Sequence, residues 1–296
     1  MINTLPSMNR YCALITGGSD GIGREFALAC AREGYDIAIV ALPDPQLATT
    51  VRLIEEAAPV RCFSLGLDLT KAGAVEKIVD WVGQKKLAVR ILINNAGLGY
   101  TGRFEAMPPS QLQNVITVNT MLSSVLCHAL QPELFRNAPS YVLNLSSIAG
   151  TMPVPYYAVY TGTKHFVYSF SLALRQEWKG RVAVSVMCPG PVLTNHPRHQ
   201  RRAGHFGFWS RLITLTASEV AQIGIEGMLQ NEGLIIPKRV NRWVIRLMRT
   251  LPVRLRLRIL KKLFIKLKDD YRYEPTRQPS SQGLNAEALV MRRDEE

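Results

Sequence analysis

Residues 11–33 read Tyr-Cys-Ala-Leu-Ile-Thr-Gly-Gly-Ser-Asp-Gly-Ile-Gly-Arg-Glu-Phe-Ala-Leu-Ala-Cys-Ala-Arg-Glu. A short apolar run leads into a turn carrying Gly17, Gly21 and Gly23, and a stretch of helical period follows at once. Missing side chains let the backbone turn sharply there and let a ligand approach the positive end of the helix. The turn, with Ser19, Asp20 and Ile22 between its glycines, is therefore read as a cradle for a pyrophosphate. Its spacing is Gly-x3-Gly-x-Gly, not the Gly-x-Gly-x-x-Gly of most dinucleotide sheets, and an ordinary strand-to-helix turn is the competing reading.

The same alternation continues outward from this stretch. Short β-rich runs at 11–15, 36–41, 60–65, 89–93, 141–145, 182–187 and 234–236 alternate with helical periods at 22–33, 45–57, 71–85, 110–135, 156–178 and 217–230. Parallel strands joined by right-handed crossovers give this pattern. The expected architecture is α/β, a doubly wound, mostly parallel seven-stranded sheet with helices on both faces. Ligands bind such sheets beyond the carboxyl ends of the strands.

The net charge of +13 is concentrated in one place. Between Lys238 and Lys268 there are 12 Lys/Arg and no Asp or Glu, which leaves 24 basic against 23 acidic residues elsewhere. The nearly neutral body argues against a nucleic-acid-binding protein. Five scattered cysteines, without metal-ligand spacing, read as reduced core residues of a cytoplasmic protein, and no metal site is expected. Residues 1–10 lack the apolar stretch of a secretory leader. No run reaches the roughly 18 apolar residues of a spanning helix. The chain is expected to be soluble or surface-bound.

A second polar signal lies about 140 residues beyond the glycine turn. Tyr156, Tyr157 and Tyr160 crowd one helix start, and only Tyr160 has a lysine, Lys164, one turn on along the same face. A phenol near pKa ~10 is a poor base at neutral pH, and an ammonium beside it favours the phenolate. Such a pair can move a proton.

Together these motifs resemble the short-chain dehydrogenase/reductase family. The resemblance runs through Thr16–Gly23, Asp68-Leu69, Asn94-Asn95-Ala96-Gly97, Asn119, Ser146-Ser147, Tyr160-x3-Lys164 and Pro189-Gly190, in the family's order over roughly residues 10 to 235. It implies a Rossmann-type fold and NAD(P)(H)-dependent hydride transfer between a nicotinamide and a carbonyl or secondary alcohol. In that reading Tyr160 is the acid/base, Lys164 also binds the nicotinamide ribose, and Ser147 holds the substrate oxygen. Ser146 is the neighbouring alternative. Asn119 would bend its helix and hold a water linking Lys164 to solvent. Asp68 would accept from the adenine amino group, and Leu69 would donate its N–H to the ring. Asn95, Ala96 and Gly97 would line the adenosine-ribose side, with the Asn side chain bracing the sheet, and Pro189, Gly190, Val192 and Thr194 the nicotinamide side. Read without the resemblance, Asp68 is as readily a cap and Asn94-Asn95 a turn.

Cofactor choice is normally decided just after the second strand, by an acid for a ribose diol or an arginine for a 2′-phosphate. Ala41 and Leu42 occupy those positions here, so both markers are missing. Asp44 within reach and Asp20 in the turn favour NAD(H), whereas relatives with similar turns often use NADP(H). The balance is read toward NADP(H).

The resemblance makes residues 1–236 a dinucleotide-binding catalytic domain with a substrate lid near 195–216. The lid mixes cationic and aromatic side chains, suiting a substrate with an apolar body and an anionic end, such as an acyl thioester or lipid. A solvated charge run beside packed aromatics is the competing reading. Residues 237–268 read as two basic amphipathic helices broken at Pro252, with Val240, Trp243, Val244, Leu247, Met248 and Leu251 on the first apolar stripe. They suit either an anionic membrane surface, peripheral on its inner face, or packing against the sheet or a partner subunit. Residues 269–296 have the composition of a disordered tail. The resemblance implies that a homodimer or homotetramer would form through the helices near 110–135 and 156–178, as is often so among family relatives. A dinucleotide-binding scaffold without turnover is the alternative function.

Overall fold

The computed structural model describes residues 11–193, 214–267 and the short strand at 272–273. Seven parallel strands form one sheet in the order β3-β2-β1-β4-β6-β7-β10. These are β1 (Cys12–Thr16), β2 (Asp36–Ala41), β3 (Cys62–Gly66), β4 (Val89–Asn94), β6 (Ser140–Leu145), β7 (Val182–Met187) and β10 (Leu234–Ile235). The parallel registers include Thr16 opposite both Val40 and Asn94. Strand order reverses between β1 and β4, where doubly wound sheets open a crevice. Two-residue strands β5 (Tyr100–Thr101), β8 (Val192–Leu193) and β9 (Leu215–Thr216) lie outside the main sheet.

Period-two alternation sends successive residues of each strand to opposite faces. Cys12, Leu14, Val40 and Leu92 face one apolar layer. Ala13, Ile15, Ile37, Ile39 and Ile93 face the other. Helices α1 (Gly21–Arg32), α2 (Pro45–Ala57) and α8 (Ala217–Leu229) cover the second layer. On the first lie α3 (Ala74–Gln84), α4 (Pro109–Ile116), α5 (Leu122–Ala129), α6 (Gln131–Arg136) and α7 (Ala158–Glu177). At the α1–α8 contact, a Cβ on Gly224 would meet the Phe26 ring at 2.8 Å, so glycine sets how closely the helices approach.

Beside small shifts such as the start of β3 at Cys62 and of α3 at Ala74, three expected elements differ for a visible reason. The single helix expected over 110–135 is α4, a π-helical turn (Thr117–Met121), α5 and then α6, with Pro132 at the start of α6 where its missing N–H costs nothing. Helix α7 starts at Ala158, because Tyr156 takes a left-handed φ of 63° and its carbonyl accepts the Gly102 N–H at 3.0 Å. Within the segment expected to lack structure, β11 (Arg272–Tyr273) pairs antiparallel with β5; the rest of that segment lies outside the described residues.

The five cysteines are unpaired, and all but Cys62 are buried. Beyond the sheet, α9 (Arg239–Thr250) and α10 (Val253–Phe264) flank Pro252. Among the described residues no helix is long and apolar enough to cross a membrane. Nor is any group of three His, Cys, Asp or Glu placed to hold a metal ion.

Candidate active site

The glycine turn leaves β1 at the point of strand reversal and is braced from β4. Asn95 Nδ2 donates to the carbonyls of Thr16 and Gly17, both at 3.0 Å. The Thr16 hydroxyl accepts the N–H groups of Asn95 and Ala96 at 3.2 and 3.1 Å. Gly17 has φ 67° and Gly21 φ 54°, where a side chain would be strained. A Cβ on Gly23 would fall 2.1 Å from the Gly17 carbonyl oxygen, so no side chain fits there. Asp20 caps α1, and Arg24 lies 3.4 Å from its carboxylate, offsetting that negative charge beside the turn. A bare turn at a helix N-terminus fits a dinucleotide pyrophosphate.

The polar residues after β4 and β6 meet α7 beside this turn. Lys164 is buried, and its Nζ donates to the Leu145 carbonyl at 2.8 Å, 5.9 Å from the Tyr160 ring centroid. The Tyr160 ring stacks on Tyr157, with centroids 4.4 Å apart. Tyr156 and Tyr157 precede the helix, so the helical i,i+4 relation to a lysine belongs to Tyr160.

Ser147, half-buried, caps the short helical turn Ile148–Thr151 and accepts the Ala149 N–H at 3.1 Å. Ser146 is buried and donates to the Lys164 carbonyl at 2.7 Å, so its hydroxyl is committed to α7. A Cβ on Gly150 would meet the Lys164 carbonyl carbon at 2.7 Å; this glycine lets the turn after β6 lie directly on α7.

Asn119 sits in the π-helical turn, where one extra residue widens the helix. Its Oδ1 accepts the Leu98 N–H at 2.7 Å, and its Nδ2 donates to the Leu98 carbonyl at 2.9 Å and to Thr163 Oγ1 at 3.0 Å. Lys164 Nζ and Asn119 Oδ1 lie 3.2 and 3.3 Å from where a Gly97 Cβ would stand, so that glycine keeps the gap between them open.

A buried polar chain supports the site from below. Asn94 Nδ2 donates to Asn144 Oδ1 at 2.8 Å, and Asn144 Nδ2 donates to Ser171 Oγ at 2.9 Å, linking β4, β6 and α7. Sequence reasoning missed Asn144, Gly150, Thr163 and Ser171, and gave Thr16, quoted in the turn motif, no role of its own. Asn144, a polar residue inside an otherwise apolar strand run, was the available signal.

Other expected contacts are placed as follows. Asp68 Oδ1 accepts the N–H and hydroxyl of Thr70, at 3.0 and 2.8 Å, as a turn cap, and Leu69 is buried beside it. The Asn95 side chain, expected to brace the sheet, does so at the glycine turn, and Ala96 and Gly97 follow it just after β4. The Pro189 carbonyl accepts the Ile148 N–H at 3.0 Å, holding the segment Pro189-Gly190 against the Ser147 turn. Val192 pairs with Leu215 through β8 and β9. Thr194 and residues 195–213 of the expected lid lie outside the described residues. Asp44, expected within reach of a ribose, caps α2 by accepting from Gln46 and Leu47 at 3.0 and 3.2 Å. Moving it would forfeit that cap. Arg24 donates to Ser19 O at 3.0 Å and to Thr50 Oγ1 at 2.9 Å beside the same edge.

Burial lowers the Lys164 pKa to about 8, with nearby Cys188 partly opposing the shift. The ammonium therefore persists at neutral pH but titrates just above it. Because the folded value lies below the ordinary 10.5, the unfolded chain binds more protons between the two values, and stability rises with pH through that window. Lys164→Met removes this slope. In denaturant titrations without cofactor, the stability of the unsubstituted protein relative to this variant should increase by about 3 kcal/mol from pH 7.5 to 10.5. A constant difference would show the lysine to be hydrated.

The fold and the motifs agree with three comparisons. The chain is 32% identical over 169 residues to a very-long-chain 3-oxoacyl-CoA reductase of Laccaria bicolor, covering 56% of this chain and 49% of that protein. It is 30% identical over 178 residues to very-long-chain 3-oxoacyl-CoA reductase-A of Danio rerio, covering 59% and 55%. The chain thus spans about half the length of these relatives. A short-chain dehydrogenase from Sphingobium yanoikuyae, solved in complex with NADPH, superposes with a TM-score of 0.68 at 26% identity, covering 81% of this chain and 94% of that one. Residues 11–204 match the family model described as short chain dehydrogenase, and the chain belongs to that family.

Proposed function

We propose that this chain is an oxidoreductase that transfers a hydride between NADP(H) and a carbonyl or secondary alcohol, with Tyr160 exchanging the proton. The observation that carries the reading is the buried Lys164 ammonium, fixed on the Leu145 carbonyl beside Tyr160 and next to the braced glycine turn. When bound, the nicotinamide supplies or takes up the hydride. Tyr160 gives its phenolic proton to the substrate oxygen in reduction and recovers one in oxidation. Lys164 favours the phenolate and bonds the ribose hydroxyls. Ser147 holds and polarises the substrate oxygen, since Ser146 is occupied by α7. Asn119, on the far side of the gap at Gly97, completes a water-mediated path from Lys164 to solvent.

Gly17, Ser19, Asp20, Gly21, Ile22 and Gly23 receive the pyrophosphate in this reading. Asp68, Leu69 and the segment Asn95–Gly97 face the adenosine, and Pro189, Gly190, Val192 and Thr194 the carboxamide. Two observations favour the phosphorylated cofactor: Asp44 is engaged as a cap, and the Arg24 cation lies beside the same edge. The Sphingobium yanoikuyae relative solved with NADPH is consistent with it. Parallel titrations should give tighter binding of NADPH than of NADH, by about tenfold for one added phosphate–arginine contact. Equal or reversed affinities would overturn the preference.

The substrate is read as an acyl or lipid-like carbonyl, in keeping with the two 3-oxoacyl-CoA reductases. Residues 1–236 would form the catalytic domain and 237–268 a helical extension. Exposed Met121 and Val125 next to and on α5, with Phe166 on α7, suit a homodimer or homotetramer through those helices. We place the protein in the cytoplasm, peripheral on the inner face of a membrane. A binding scaffold without turnover would have no use for the Tyr160 hydroxyl.

A further inference from the structure

Helix α9 packs only partly through its apolar stripe: Val240, Met248 and Leu251 are half-buried, and the centre of the stripe faces outward. Its inward face is Asn241 and Ile245, which are 2% and 6% exposed. Trp243 and Leu247, one turn apart, are each 66% exposed, and Val244 is 48% exposed. At 100° per residue, Arg239, Arg242, Arg246 and Arg249 fall on a third face between the inward and apolar ones. Helix α10 repeats the arrangement. Leu260 is buried, Leu255 and Leu263 are exposed, and Arg254, Arg258, Lys261 and Lys262 lie on the remaining face.

An outward apolar stripe beside a basic stripe, with no acidic residue between Lys238 and Lys268, has the charge and shape of an element lying in the plane of an anionic bilayer. Trp243, its ring partly covered by the Arg246 guanidinium at 5.5 Å, has the amphipathic character of a headgroup-level anchor. A protein partner would need acidic residues matched to each cation, whereas an anionic lipid surface needs only the summed charge.

Helix α10 also borders a cavity that reaches the residues just before Tyr160. This cavity of about 460 Å³ lies between Tyr100–Glu105, the first turn of α7 and α10. Tyr156, Ala158 and Val159 line its inner side, while Lys261 and exposed Ile265 line the side toward the extension. We infer that α9 and α10 dock the protein on an anionic bilayer, with this cavity opening beside the bilayer to admit an amphiphilic substrate. The docking stands on the helices alone; the substrate route rests on the lipid-like substrate proposed above.

The test is sedimentation of the full chain with phosphatidylcholine vesicles, with and without phosphatidylserine, at low and high salt. Binding should require phosphatidylserine and weaken in salt. Trp243→Glu combined with Leu247→Glu should reduce it by about a hundredfold or more, through lost apolar burial and added charge. Retained thermal stabilisation by NADPH shows that this variant is folded. Lack of binding by the unsubstituted chain, or equal binding by the variant, overturns the proposal. Self-association that the double substitution abolishes, without vesicle binding, also overturns it and assigns the face to a second copy. Tyr160→Phe should bind vesicles normally, so failure of the catalytic reading and failure of docking are distinguishable. If docking holds, vesicles should lower the KM of a long-chain carbonyl substrate and leave that of a short water-soluble one unchanged; equal effects overturn the substrate route.

Discussion

Tyr160→Phe is expected to lower kcat by about 10²- to 10⁴-fold, the usual contribution of a positioned general acid or base. The phenylalanine ring can keep the stack on Tyr157, and Lys164 can keep its bond to the Leu145 carbonyl. Fold and NADPH affinity should therefore change little. Single-turnover kinetics with a carbonyl panel, together with NADPH titration, separates the two effects. An active variant would refute the assigned proton transfer, and lost cofactor affinity would recast the hydroxyl as a binding group.

The second large effect is expected at the glycine turn. In Gly23→Ala the new methyl would stand 2.1 Å from the Gly17 carbonyl oxygen and 2.5 Å from Asn95 Nδ2, two groups already bonded to each other at 3.0 Å. Neither is the free end of a flexible side chain, so the turn must open. We expect a stability loss of about 2–4 kcal/mol, at the upper end for overpacking. NADPH affinity should fall about a hundredfold as the backbone donors move away from the phosphates. Gly83→Ala provides the control: its Cβ would meet nothing within 4 Å near the end of α3. That substitution should be neutral or stabilising by up to about 1 kcal/mol. Similar effects at both positions would show that close packing at the turn is not what selects glycine.

Much of the architecture was legible because it is written in local periods. Strand runs such as 36–41 and 182–187 have the bounds expected of them, since each is rich in β-formers and mostly apolar, with one polar residue apiece, Asp36 and Ser185. The Tyr160/Lys164 offset needed only the helical repeat. Boundaries set by distant partners were not legible from local periods: α7 begins late because Gly102 binds the Tyr156 carbonyl, and the distortion at Asn119, which only the resemblance implied, comes where that side chain bonds both backbone groups of Leu98.

Residue order along the chain was enough to set the fold class, the glycine turn and the helical spacing of the tyrosine–lysine pair, because each depends on neighbours within about one turn or one strand. Three-dimensional packing alone committed the Ser146 hydroxyl to the Lys164 carbonyl. It alone linked Asn94 to Asn144 and Ser171. It also turned Trp243, Val244 and Leu247 of the α9 stripe outward, because the inward face of a helix is selected by what it meets across space, and hydrophobicity along one segment cannot specify that partner.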